Sequence, residues 1–347
     1  MEKPYISIII PCPPGKTPDA LEHIKKLNYP QEKFEVIIEE GYNPSAQRNR
    51  GIKKARGEVI GFTDDDCSMD PNWLDNTMKY FGDKSVGIVG GPNLTPKNST
   101  FLSKCFGFAM SSYFGAASMS TRYDKKSLNR NATEQNLIFN NMFVKNEIFK
   151  KGMYLNEALF PNEENEFINR VSKQNYKMIY ASDVSVYHPR KSTFKGFVKQ
   201  VFGYGAGRAH QTKIQPDSFK ILYLIPTLFV LGILSLFLSF LFHLKLLTEI
   251  IISGFILYFI ISIAISLKIA IDEKKPAIFP LMPLIFFMIH ISYGMGFMMN
   301  FLKLHFNIPK WFRSSSSRLG VSLACPLTMI CIEILANNSD LMSNLYS

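Results

Sequence analysis

Val59-Ile60-Gly61-Phe62-Thr63-Asp64-Asp65-Asp66 is the stretch on which the fold turns. Its first four residues are a short apolar run of the kind that makes a buried strand. A turn from Cys67 to Pro71 and a helical stretch from Trp73 to Phe81 follow. The acids therefore close a strand at its carboxyl end, where an open α/β sheet binds its ligand. Unpaired carboxylates there repel one another, and burying even one is costly. A divalent cation bound to phosphate relieves that cost, because hard cations prefer such oxygen donors. By itself the triplet reads equally well as a solvated acidic turn, Asp being common in turns. Its surroundings decide.

Working outward, Tyr5 to Ile10 is strand-like and stopped by Pro11, Asp19 to Leu27 is helical, and Phe34 to Ile38 is a second strand ending in Glu39-Glu40-Gly41. A helix from Ser45 to Arg56 leads through Gly57 into the 59–62 strand, and Val86 to Val89 forms another strand before Gly90-Gly91-Pro92. Leu137 to Lys145, Met178 to Ala181 and Val184 to His188 read as later strands, with a helix from Glu163 to Lys173 among them. Strands alternating with helices through short turns predict an α/β domain with a mostly parallel sheet. Residues 93–136 are polar and irregular, the pattern of a mobile substrate loop.

Beyond residue 218 the composition changes. Phe219 to Phe242, Leu246 to Ile271 and Ala277 to Leu302 are apolar stretches, each long enough for the roughly 20 residues that span a bilayer. No basic-then-apolar leader opens the chain, which predicts a domain over 1–190 that stays in the cytoplasm. The net charge of +11 fits an anionic membrane and, with spans present, needs no nucleic acid. The five cysteines lack paired metal spacing and suit a reducing compartment. Lys213, Lys220, Lys274 and Lys275 place the domain and the 272–275 loop on the inner side. A third crossing then sends Lys303, Lys310, Arg313 and Arg318 outward, against that rule. Either 277–302, with Pro280 and Pro283, is re-entrant, or Leu319 to Ala336 in the 305–347 tail adds a crossing. Between domain and spans, residues 191–218 hold Phe194, Phe197, Val198, Val201 and Phe202 on one helical face ringed by Arg190, Lys191, Lys195 and Lys199. That is the pattern of an interfacial amphipathic helix.

The ordered set Pro11, Glu39-Glu40-Gly41, Arg48-Asn49-x-Gly51, Gly57-Glu58 and Asp64-x-Asp66 resembles the nucleotide-sugar half of a family 2 glycosyltransferase. The resemblance continues through Asn140-Asn141-Met142, Asn162-Glu163-Glu164-Asn165-Glu166, Tyr187-His188-Pro189-Arg190 and the run from Gln200 to Arg208. It implies a GT-A fold, inversion at the sugar, and the membrane-attached branch of succinoglycan type that builds exopolysaccharide or lipid-linked glycans. By resemblance, Asp64 and Asp66 hold a divalent metal (Mg or Mn), while Pro11, Glu39, Glu40, Arg48, Asp64 and Asp65 meet the nucleotide-sugar donor. Glu164, or its neighbour Glu163, is the base that deprotonates the acceptor. Asn141, His188, Arg190, Gln200, Tyr204 and Arg208 are assigned to acceptor or phosphate. The residues also carry blander readings: an acidic first helical turn for the 163–166 cluster, an exposed basic helix face for Arg48, and a packed histidine at 188.

Gln200-Val201-Phe202-Gly203-Tyr204 departs from the Gln-x-x-Arg-Trp of processive synthases, which favours addition of one sugar to a polyprenyl-linked glycan. Two other readings stay open: transfer to polyprenyl phosphate itself, and a membrane scaffold whose sugar-nucleotide fold has lost its chemistry. Glu at 164 in place of the family's aspartate, and Cys12-Pro13-Pro14-Gly15 in place of an acid-bearing opening loop, support the last.

Overall fold

The computed structural model describes residues 3–305. They divide into two units: Met1–Thr100 with Ala116–Arg190, and Phe101–Gly115 with Lys191–Ser347.

The first unit carries strands β1 (Ile6–Cys12), β2 (Phe34–Glu40), β3 (Val59–Phe62), β4 (Ser68–Met69), β5 (Val86–Gly90), β6 (Asn93–Leu94), β7 (Met142–Lys145), β8 (Lys177–Tyr180) and β9 (Val186–Tyr187). Six of them form one sheet in the order β2-β1-β3-β7-β5-β8; β4, β9 and β6 form a small second sheet. β1 runs parallel to β2 and β3, and β5 to β8, whereas β7 is antiparallel to both its neighbours. Both faces of β1 are buried: Ile6, Ile8 and Ile10 join one apolar cluster and Ile9 the other. This two-sided burial explains why β1 is a mostly apolar run rather than an alternating one.

Two expectations change. The apolar run 137–141 is not strand: Phe139–Asn141 is a 3₁₀ turn, and β7 begins only at Met142. Leu137 and Phe139 are apolar because they fill the core, not because they pair in a sheet. The supposed loop 93–136 holds the helix Phe101–Ser111, a short helix Tyr113–Ala116 and the 3₁₀ segment Ala117–Tyr123.

Gly91, just after β5, allows a close approach of chains. A Cβ there would sit 1.8 Å from the Val184 carbonyl oxygen and 2.4 Å from that of Ala181. Backbone cannot give way as a side chain can, so Gly91→Ala should cost about 3 kcal/mol or more. A thermal midpoint within a degree of wild type would refute this.

In the second unit three helices are long and apolar enough to cross a membrane: Ile221–Leu241, Lys245–Asp272 and Met282–Leu304. Only 17% and 11% of the first two are buried against 56% of the third, so the third forms the centre of this unit. Pro283 falls in the first turn of the continuous helix Met282–His305, where its missing N–H costs nothing. The proposed extra crossing at 319–336 lies outside the described residues. Residues 194–202 open the long helix Phe194–Ile214. On its apolar face the Phe197 ring stacks on Phe106 at 4.0 Å and Val201 is buried, while Phe194, Val198 and Phe202 are half-buried. Lys195 and Lys199 remain exposed.

Candidate active site

Parallel pairing brings the carboxyl ends of three strands to one rim. Pro11 lies opposite Glu39, Cys12 opposite Glu40, and Ile9 opposite Phe62, so the acids after β3 rise beside the ends of β1 and β2. The small sheet adds the rest. β4 pairs antiparallel with β9, Ser68 opposite Tyr187. One step further along that register brings Cys67 and Asp66 to His188. His188 Nε2 stands 3.2 Å from Asp66 Oδ1 and 4.0 Å from Asp64 Oδ2.

Arg48 comes from the helix Pro44–Lys54. Gly51, one turn on, lets that helix press onto Ile9, where a Cβ would come within 2.6 Å of the Ile9 side chain. Arg48 is therefore buried rather than on an exposed face, and its guanidinium lies 4.8 Å from the Phe139 ring. It donates to Asp64 Oδ1 at 3.0 Å and to Glu163 Oε1 at 2.9 Å, bridging the triplet to the acidic pair. Asp65 turns away to Lys16, at 2.5 Å. Glu39 is buried and paired with Arg50 (3.0 Å) and Lys54 (2.6 Å), while Glu40 is exposed at the rim.

Burial resists ionisation of Asp66, but the hydrogen bond and charge of His188 hold its carboxyl below the usual range. Asp66, Cys67 and His188 offer ligand atoms within 4.8 Å of one another. Burial, with Asp64 and Asp66 nearby, pushes the Cys67 thiol well above its ordinary value, so it stays protonated and is a poor ligand. Asp66 and His188 remain, and with Asp64, whose Oδ2 lies 4.0 Å from His188 Nε2, they make two carboxylates and an imidazole, a donor set that fits magnesium or, with its nitrogen, manganese. Asn93 Oδ1, Asn140 Oδ1, Asn162 Nδ2, Glu163 Oε2 and Arg48 Nε are buried without a hydrogen-bond partner among the described residues. Such orphans are rare in folded proteins and need an explanation.

The acidic pair opens the helix Glu163–Ser172, entered through Asn162 in the left-handed region (φ 96°). Its members differ. Glu163 is 3% exposed, and burial with the charge of Glu164 pushes its carboxyl up to about 8 while Arg48 opposes the shift. The Glu164 side chain is 13% exposed and accepts from Arg122 Nη1 at 3.2 Å. Glu166 pairs with Arg170 at 2.6 Å, a local helical contact.

Other assigned residues are occupied elsewhere. Asn141 is fully buried; its Oδ1 accepts from Trp73 Nε1 at 2.9 Å, and its Nδ2 donates to the carbonyls of Pro92 (3.1 Å) and Val184 (2.7 Å). Its side chain thus ties the sheet to the segment around Val184. Arg190 binds Thr95 Oγ1 at 3.2 Å and the Asn93 carbonyl, over the Tyr123 ring. Gln200, Tyr204 and Arg208 belong to the second unit, where Gln200 donates to Tyr204 Oη at 2.8 Å and buried Arg208 to Gln211 Oε1 at 2.7 Å. Lys16 and Arg122 were not legible as site residues. Each sits in a loop without periodicity, and only tertiary contacts give it a role.

Removing Arg48 would leave Asp64 and Glu163 without their shared cation. Arg48→Met should destabilise the protein by about 3–5 kcal/mol, as breaking a buried ion pair does. Denaturant unfolding checks this; a loss below about 1 kcal/mol would mean that the two acids hold their places without it.

Residues 10–152 match the family described as Glycosyl transferase family 2. Over 261 residues it is 22% identical to Glycosyltransferase AglE of Haloferax volcanii, covering 67% of this chain and 82% of that protein. Over 309 residues it is 23% identical to the dolichyl N-acetyl-alpha-D-glucosaminyl phosphate 3-beta-D-2,3-diacetamido-2,3-dideoxy-beta-D-glucuronosyltransferase of Methanococcus voltae, covering 83% and 84%. Among solved structures, the mannosyltransferase PcManGT of Pyrobaculum calidifontis, in complex with GDP-Man and Mn2+, shares the fold. Its TM-score is 0.57 at 14% identity, over 88% of this chain and 89% of that one.

Proposed function

We propose that this family 2 domain transfers one sugar, with inversion, from a nucleotide-sugar donor to a lipid-linked glycan at the cytoplasmic face of a prokaryotic membrane. The observation that carries the reading is the gathering of Asp64, Asp66 and His188 at the sheet rim, joined through Arg48 to the acidic pair. Three helices able to cross a membrane support an acceptor held in lipid, as does the Methanococcus voltae relative, named for a dolichyl N-acetyl-alpha-D-glucosaminyl phosphate substrate.

Asp64, Asp66 and His188 would hold a divalent cation, which neutralises the donor diphosphate and makes it a better leaving group. Glu40, exposed at the end of β2, faces the ribose and base. Glu164 takes the proton from the acceptor hydroxyl, being the more accessible carboxylate of the pair. The acceptor oxygen forms its bond to the anomeric carbon as the bond to the diphosphate breaks, and nucleoside diphosphate departs. Glu163 stays on Arg48 and fixes the spacing between metal site and base.

The test is a panel of nucleotide sugars supplied with Mn2+ or Mg2+ and lipid extract, scored for released nucleoside diphosphate. Release that requires a glycan-bearing lipid supports the reading. Release with bare polyprenyl phosphate assigns the enzyme to making lipid-phosphosugars. Donor binding without turnover on any acceptor leaves a sugar-nucleotide scaffold.

A further inference from the structure

Arg122 was singled out by no sequence motif, yet it has the densest set of contacts beside the acidic pair. It lies in the 3₁₀ segment Ala117–Tyr123, with 4% of its side chain exposed. Nε donates to the Gln135 carbonyl at 3.2 Å, Nη2 to the Glu134 carbonyl and to Asn165 Oδ1 at 2.5 Å, and Nη1 to Glu164 Oε1 at 3.2 Å. Three of these acceptors are neutral. They fix the plane of the guanidinium without cancelling its charge, and Glu164 receives that charge. Asn165 is in turn anchored, its Nδ2 donating to Asn162 Oδ1 at 3.1 Å.

Adjacent carboxylates do not ionise independently: each charge raises the proton affinity of the other. Here each has its own arginine, Arg48 on Glu163 and Arg122 on Glu164. The two environments differ. Glu163 is sealed between Arg48 and the core, whereas Glu164 keeps an exposed edge on which an acceptor hydroxyl could land. The charged groups around Glu164 are Glu163 beside it, Arg122 across from it, Glu134 in the same turn as the Arg122 acceptors, and the Glu166–Arg170 pair further along its helix.

We propose that Arg122 is the positioning residue of this site, holding Glu164 in place and aimed so that it, and not Glu163, accepts the acceptor's proton. The inference rests on the transferase reading above for its chemical meaning. The gain from the Arg122 contact is a fixed direction for the Glu164 carboxylate. Small errors in that direction are costly in reactions of this kind.

The test uses the full chain in lipid, as wild type, Arg122→Met and Arg122→Lys. The placement of Glu164 is followed without reference to turnover, by the rate of carbodiimide labelling of its peptide at one fixed pH, read by mass spectrometry. In Arg122→Met the labelling rate of Glu164 should rise severalfold, because the contact that holds the side chain against its neighbours is gone. Turnover should fall by roughly tenfold or more, with the donor dissociation constant within about twofold. Arg122→Lys keeps the charge but cannot reach all four acceptors. It should still lose turnover with donor affinity kept, and it decides the matter alone if the methionine variant fails to fold. An unchanged labelling rate in Arg122→Met, wild-type turnover in Arg122→Lys, or a parallel loss of donor affinity would each overturn the proposal. The last would make Arg122 a donor ligand. Should the wild type turn over no donor, the transferase reading falls, while the labelling rate still decides whether Arg122 holds Glu164.

Discussion

An Asp66→Ala variant should lose metal-dependent turnover by on the order of 10³-fold. A metal ion contributes several kcal/mol to stabilising charge in such a reaction, and each ~1.4 kcal/mol is a factor of ten in rate. Asp66 is the member of the triplet that faces His188, at 3.2 Å. Removing it leaves Asp64, already shared with Arg48, as the sole carboxylate of the ligand set. Asp65→Ala is the matched control. Its carboxylate belongs to Lys16 on the opening loop, so it should alter donor affinity modestly and leave the metal response in place. Titration of Mn2+ against nucleoside-diphosphate release separates the two, and calorimetric Mn2+ binding gives a readout that needs no acceptor. An Asp66→Ala protein that still responds to Mn2+ like wild type would remove the metal from this corner of the sheet.

The contrast between Asp65 and Asp66 marks the limit of sequence reading here. Strand β3 and its terminal acids were legible because burial on both faces leaves an uninterrupted apolar run, and the acids after it break that run sharply. The three helices long and apolar enough to cross a membrane were legible for the same reason, as unbroken apolar stretches. Which acid would face which neighbour was not. That depends on the pairing of β4 with β9, two short strands separated by more than a hundred residues of chain. His188 looked like a packed histidine because nothing local distinguishes it; the register of that pairing gives it its place. Arg48 could be read as an exposed basic residue until the approach of its helix to Ile9 was known. The helix Phe101–Ser111 was hidden by its surroundings, since a short apolar segment amid polar ones carries no signal of which unit it joins.

Glu164→Gln should reduce turnover by about 10²–10⁴-fold, the usual contribution of a positioned base, while leaving donor affinity almost unchanged. The amide keeps the shape of the side chain and can still accept from Arg122 through its oxygen, so the fold around it has little reason to move. It cannot accept the acceptor's proton. Glu163→Gln offers a different outcome from the same chemistry. Glu163 is buried against Arg48, and burial with the charge of Glu164 pushes its carboxyl up while Arg48 opposes the shift. Neutralising it should perturb stability and the placement of Asp64 through Arg48, raising the metal or donor concentration needed more than it lowers the maximal rate. The pair of variants thus separates proton transfer from scaffolding, with kcat reporting the first and donor and metal affinity the second. If the losses come out reversed, with Glu164→Gln turning over near normally and Glu163→Gln losing kcat alone, then the sealed carboxylate is the base. Donor binding would then have to open the Arg48 contact to expose it.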